Sequence, residues 1–149
     1  MRDYYVYNIR DYTQYSEVLC SEIKSPVVLL VNGEMGVGKT TLCNSLCLKI
    51  SGKRLLSSSY NLISIYTGQT KVIHCDFFRK TLSEDIFYTS IYPLLTEDWV
   101  LMMEWQSTFN FLNSCGVIKI DIELQDNSVR RIRDQTVSYT HLTLPTSYP

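Results

Sequence analysis

The sequence predicts an α/β domain: a central mixed β-sheet flanked by helices, with late antiparallel strands. Three observations carry this expectation. Residues 27–31 form a continuous run of valine and leucine, the composition of a strand covered on both faces. A glycine-rich loop follows directly at residues 33–38 and leads into a stretch with helical character. Near the far end, residues 117–124 alternate as Val-Ile-Lys-Ile-Asp-Ile-Glu-Leu, the pattern of a half-exposed strand.

The elements follow in order. Residues 4–9 read as a short opening strand. Residues 12–24 read as a helix, because Tyr15, Val18, Leu19 and Ile23 fall at helical spacing, and Ser25-Pro26 interrupts it. After the valine-rich strand and the glycine loop, residues 40–50 read as a second helix ended by Ser51-Gly52. Residues 62–66 and 71–76 read as a hairpin turning at Thr67-Gly68-Gln69. Ser83-Glu84-Asp85 begins a short helical stretch, with serine as the N-cap and acids in the first turn. Residues 99–103 read as another buried strand. Residues 117–124 pair with residues 129–133 across Gln125-Asp126-Asn127-Ser128.

Composition bounds the function. The chain has 149 residues, one domain's worth, with 45% hydrophobic and 19% charged residues. A formal net charge of -1 implies no bulk attraction to nucleic acid or anionic membrane. Five cysteines, none in a C-x-x-C pair, argue against a disulfide framework and for a reducing compartment. Cys43 and Cys47, four apart on a helix, read as small buried residues, because no second pair completes a zinc spacing. The start, Met1-Arg2-Asp3-Tyr4-Tyr5, lacks the pattern of a signal peptide, and residues 26–31 are too short to span a bilayer. The expected location is the cytoplasm.

The tail is expected to be foreign. Residues 137–146 carry no formal charge and no period. The codons GTC TCT TAT ACA CAT CTG ACG CTG CCG ACG encode this string and look like a transposase-end adapter of sequencing libraries; ACT for Thr136 keeps the frame. The expected division is therefore 1–136 as one natural domain and 137–149 as translated adapter, which leaves the natural end of the chain past Thr136 open. The alternative is a genuine threonine-rich tail. On the adapter reading, His141 has no function.

The chemistry centres on Gly33-Glu34-Met35-Gly36-Val37-Gly38-Lys39-Thr40, which matches G-x-x-x-x-G-K-[ST] with a strand before it and a helix after it. This is a P-loop, and the fold class becomes P-loop NTPase-like. Its glycines bring backbone N–H groups against phosphates, and the following helix adds its positive N-terminal end. Lys39 is expected to reach the β- and γ-phosphates of ATP, and the Thr40 hydroxyl to hold Mg²⁺. Thr41 either supports the α-phosphate side or simply starts the helix. Hydrolysis also needs carboxylates. Asp76 and Glu104 each end a strand, where ligands sit in open α/β sheets. One would act on Mg²⁺ and the other would orient the attacking water, with the assignment open. The plain alternative is a pair of solvated strand ends. His74 lies two residues before Asp76 on the same strand face, and reads as a hydrogen-bonded structural histidine rather than a general base.

Together these motifs resemble the bacterial TsaE (YjeE) ATPases, which assist formation of threonylcarbamoyladenosine in tRNA. Five features match in order over residues 4–133. The P-loop with Thr41 is close to the family's G-[DE]-L-G-A-G-K-T-T. Ser57-Ser58-Ser59-Tyr60-Asn61-Leu62-Ile63 is similar to S-P-T-[YF]-x-[LI]-[VI], and His74-Cys75-Asp76-Phe77-Phe78-Arg79 to H-x-D-[LF]-Y-R. Met103-Glu104-Trp105 resembles [VI]-E-W, and the closing strand falls where the family has late β-strands. Ser58 and Ser59 replace the usual proline and threonine, Phe78 replaces tyrosine, and Gln106 replaces the proline after Glu-Trp.

The resemblance implies that Lys39, Asp76 and Glu104 are catalytic, and that Ser59 belongs to a switch-like segment over the γ-phosphate. It implies that Trp105 lies near the nucleotide or at the site's edge, against the alternative of a packing tryptophan. Arg79 would sit beside the site as a cation, against the alternative of a surface salt bridge. The implied partners are a threonylcarbamoyl transferase subunit and its non-catalytic paralogue (TsaD and TsaB type), with tRNA engaged indirectly and direct tRNA contact left open. ATP would be cycled slowly to permit repeated turnover. Two other classes compete: a small-molecule kinase with the same loop, and a non-hydrolysing nucleotide-binding module. A kinase would carry arginines in a helical lid, whereas Arg130, Arg131 and Arg133 fall on a late strand. The two acids argue against the passive module.

Overall fold

The first helix begins earlier than its apolar spacing suggests, because a polar cap precedes the apolar stripe. In the computed structural model, which describes residues 1–56, 62–126 and 128–137, strand β1 (Arg2–Val6) gives way to helix α1 (Ile9–Glu22). Asn8 Oδ1 accepts from the Arg10 N–H at 3.0 Å, and Asp11 Oδ2 accepts from the Asn8 and Tyr7 N–H groups at 3.1 and 2.7 Å. This capping box converts residues expected to extend the strand into the start of a helix. The expected switch segment at residues 57–61, including Ser59, lies outside the described residues, as do residues 138–149 of the expected adapter.

Strand β2 (Val27–Asn32) is buried along almost its whole length and leads through the P-loop into α2 (Lys39–Ser51). Gly52 ends α2 in the left-handed conformation, with its N–H on the Leu48 carbonyl at 2.8 Å. Strands β3 (Ile63–Tyr66) and β4 (Lys71–Asp76) form the expected antiparallel hairpin. The Ser83 hydroxyl caps α3 (Glu84–Ile86), which continues as a π-helical turn over Phe87–Ile91 and a 3₁₀ turn over Tyr92–Leu94. Strands β5 (Trp99–Glu104), β6 (Gly116–Leu124) and β7 (Arg130–Val137) complete the chain, and β7 runs further than the five residues expected of it.

The seven strands form one mixed sheet in the order β1-β7-β6-β2-β5-β4-β3. Strands β6, β2, β5 and β4 run parallel, whereas β7, β1 and β3 pair antiparallel toward the two edges. Alternation on each strand divides the core in two. Leu29, Val31, Met102, Ile120 and Ile132 face α1 and α2. Val28, Leu30, Ile73, Leu101 and Met103 face the other side, where Phe87, Ile91 and Phe109 cover them. Helices on both faces explain why β2 reads as an unbroken apolar run. They also leave the carboxyl ends of β2, β4 and β5 as the open edge of the sheet, where a ligand fits.

Candidate functional site

The P-loop is held from beneath by close packing. A side-chain carbon at Gly33 would lie 2.5 Å from the Ile122 carbonyl oxygen, so only glycine lets the loop leave β2 against β6. Gly38 has φ +112°, and a Cβ there would meet the Tyr12 hydroxyl at 2.3 Å. Arg130 Nε on β7 donates to the Val37 carbonyl at 3.0 Å, and Asn32 Nδ2 donates to the Gln106 carbonyl at 2.9 Å. The loop is thereby fixed to α1, β6, β7 and the segment after β5. The first amides of α2 have no intrahelical acceptors, no side chain caps them, and no acid lies in the first turn. This positive helix end is built for an anion.

Above the loop lies a cleft of about 700 Å³ lined by Met35, Gly36, Gly38, Lys39, Thr40, Asp76, Arg79, Glu104 and Trp105, among others. That volume is in the range of small-molecule sites. Lys39 is buried; its Nζ donates to the Gly33 carbonyl at 2.9 Å and stands 3.8 Å from the centre of the Trp105 ring. Trp105 has φ +63°, a left-handed conformation costing a bulky residue ~1–3 kcal/mol, and its ring lies 4.9 Å from that of Phe78. The strain turns the indole into the cleft, beside the ammonium. Trp105 thus lines the cleft and also packs against Phe78 and the core beneath, so it meets both expected placements.

Asp76 and Glu104 are direct neighbours in the parallel register of β4 and β5. Asp76 Oδ1 accepts from the Phe78 N–H at 3.0 Å. Glu104 is almost fully buried, and its Oε2 lies 2.6 Å from His74 Nε2. The Cys43 thiol on α2 lies close by; burial, then the Glu104 carboxylate, holds the thiol protonated well above the usual range. His74 is therefore a hydrogen-bonded residue, as its strand position suggested, with a catalytic candidate as its partner.

Not every expected site residue reaches this cleft. Gly33, Glu34 and Val37 line a neighbouring groove toward Asp121, Glu123 and Arg131. Thr41 lies on the opposite side of the loop with Tyr12 and Arg130. The late arginines are engaged elsewhere than in a lid: Arg130 on the loop, Arg131 with Glu123, and Arg133 with Asp3. No local motif marks Tyr12 and Arg130, which hold the P-loop from behind.

The donor set fits a nucleoside polyphosphate with a hard divalent cation. Backbone N–H groups and Lys39 offer donors that phosphates would accept from, and the Thr40 hydroxyl and Asp76 carboxylate offer oxygens of the kind Mg²⁺ would take. Among the described residues no helix is long and apolar enough to cross a membrane.

Comparison with known proteins places this arrangement. The chain resembles relatives named tRNA threonylcarbamoyladenosine biosynthesis protein TsaE. It is 26% identical to that of Rickettsia bellii over 119 residues, covering 78% of this chain and 82% of the relative. It is 26% identical to that of Aquifex aeolicus over 122 residues, covering 79% and 84%. The crystal structure of Bacillus subtilus YdiB superposes with a TM-score of 0.66 at 19% identity, covering 91% of this chain and 84% of that one, a likeness of fold. The sequence profile of the threonylcarbamoyl adenosine biosynthesis protein TsaE matches residues 6–133, and on that match the chain belongs to the TsaE family.

Proposed function

We propose that this chain is an ATPase that binds and slowly hydrolyses ATP in support of tRNA threonylcarbamoyladenosine formation by a partner transferase complex. The observation that carries the reading is the pair Asp76 and Glu104, adjacent in register and opening onto the same cleft as Lys39 and Thr40. The P-loop amides and Lys39 bind and orient the phosphates. Thr40 and Asp76 are the residues that would hold Mg²⁺, which when bound neutralises charge across the β- and γ-phosphates. Glu104 is fixed from behind by His74, so its carboxylate is oriented before substrate arrives; it positions the attacking water. Trp105 screens Lys39 from solvent until the γ-phosphate replaces the contact with Gly33.

The proposed setting is cytoplasmic. The proposed partners are a transferase subunit and its non-catalytic paralogue, with no direct tRNA contact required. The test separates binding from chemistry. Asp76→Ala and Glu104→Ala are each expected to retain ATP affinity within about tenfold while turnover falls by ~10²-fold or more. Lys39→Ala is expected to weaken both. Unchanged turnover in both acid variants would reject hydrolysis by this pair and favour a passive nucleotide-binding module. Phosphate transfer to a small acceptor would favour a kinase.

A further inference from the structure

On its buried side Glu104 meets a thiol and an imidazole, donors that Mg²⁺ does not call for. Cys43 from α2, His74 from β4 and Glu104 from β5 converge, and their Sγ, imidazole nitrogen and carboxylate oxygen atoms all lie within 4.8 Å of one another. The three elements hold them there: β4 and β5 are neighbours in the sheet, and α2 packs across that face. Nitrogen and sulfur ligands are not what Mg²⁺ selects, whereas thiolate, imidazole and carboxylate together suit zinc and its neighbours in the first transition row. Three protein ligands leave a fourth tetrahedral position open, and Glu104 borders the solvent-connected cleft, which provides an entry path. The charge also balances: one thiolate and one carboxylate neutralise a buried dication, which an unpaired ion in this core could not tolerate.

We propose that Cys43, His74 and Glu104 form a binding site for a borderline-soft divalent cation of the Zn²⁺ class. Occupation of the site takes Glu104 out of its place beside the attacking water and holds the enzyme in an inactive state. The Cys43 thiol proton is released as the metal–sulfur bond forms. The proton between His74 Nε2 and Glu104 moves to Nδ1 or to solvent, and that hydrogen bond gives way to two metal bonds. The inhibitory part rests on the proposed ATPase reading; the binding part does not.

The test uses Co²⁺ as a spectroscopic probe of the full chain without nucleotide. The expected result is one equivalent bound, with a thiolate-to-cobalt charge-transfer band. The band should be lost in Cys43→Ala, and affinity should fall by ~100-fold or more in His74→Gln. Circular dichroism of each variant checks its fold, and Cys43→Ser serves as a second variant should Cys43→Ala fold poorly. In the same samples Zn²⁺ is expected to suppress Mg²⁺-dependent turnover of the native chain but not that of Cys43→Ala. A missing band, or one that persists in Cys43→Ala, overturns the site. A band that behaves as expected in a protein without ATP turnover keeps the site and removes only its inhibitory role. Zn²⁺ inhibition equal in the native chain and Cys43→Ala places the inhibition elsewhere and overturns that role.

Discussion

At the scale of single residues, the site depends on atoms absent from glycine. Gly38 is constrained twice, by its φ of +112° and by the Tyr12 hydroxyl where a Cβ would stand. Gly38→Ala is therefore expected to lower stability by about 1–3 kcal/mol and to weaken ATP binding, measured by denaturant unfolding and nucleotide titration. Tyr12→Phe in the same chain removes the clashing hydroxyl but leaves the backbone strain, so it should restore part of the loss and no more. Full recovery in the double variant would show that φ strain contributes nothing. His74 and Trp105 belong to the same scale: each meets one neighbour, Glu104 or Lys39, rather than forming a motif of its own.

At the scale of elements, the late strands are joined to the first helix by a buried polar cluster. Asp134 on β7 accepts from the Tyr15 hydroxyl at 2.7 Å and from Arg2 Nη2 at 2.9 Å, tying β7 to α1 and β1. Asp134→Ala leaves a buried tyrosine hydroxyl and a partly exposed guanidinium without their acceptor. The expected cost is about 2 kcal/mol, the guanidinium discounted for its exposure; in a chain of this size that lowers Tm by roughly 4–8 °C. A loss below half a degree would show that solvent replaces the cluster. This cluster also shows what local patterns cannot carry. The valine run of β2, the glycine loop and the alternation of β6 each declare an element within a few residues, so these were legible. The start of α1 was misplaced because its apolar stripe begins later than its cap, and the capping residues are polar. Asp76 and Glu104 were legible as strand ends, yet their adjacency needed the strand order. Residues 43, 74 and 104 share no spacing, and only the packing of α2 on β4 and β5 brings them together.

At the scale of the whole molecule, thiols removed from water lower stability at alkaline pH. Burial pushes Cys75 up to about 12, and Cys20 and Cys115 up to about 11, from an ordinary value of 9.0. The folded chain therefore binds more protons than the unfolded chain between those values, so stability is kept below about pH 9 and falls as pH rises through the folded values. Urea midpoints at pH 8 and pH 10 are expected to differ in that direction; equal midpoints would mean the thiols stay unionised in the unfolded chain or are solvated in the folded one. The sheet places the P-loop, the acids and Trp105 at the carboxyl ends of its parallel strands, and Arg130 of β7 reaches the loop from the side. The most direct test of this account is ATP turnover of the chain alone and with a purified transferase heterodimer of the family, with Lys39→Ala as control. The expected result is slow turnover that rises with the heterodimer and vanishes in the control. Robust turnover indifferent to the heterodimer would contradict the proposed role in tRNA modification while leaving the nucleotide site in place.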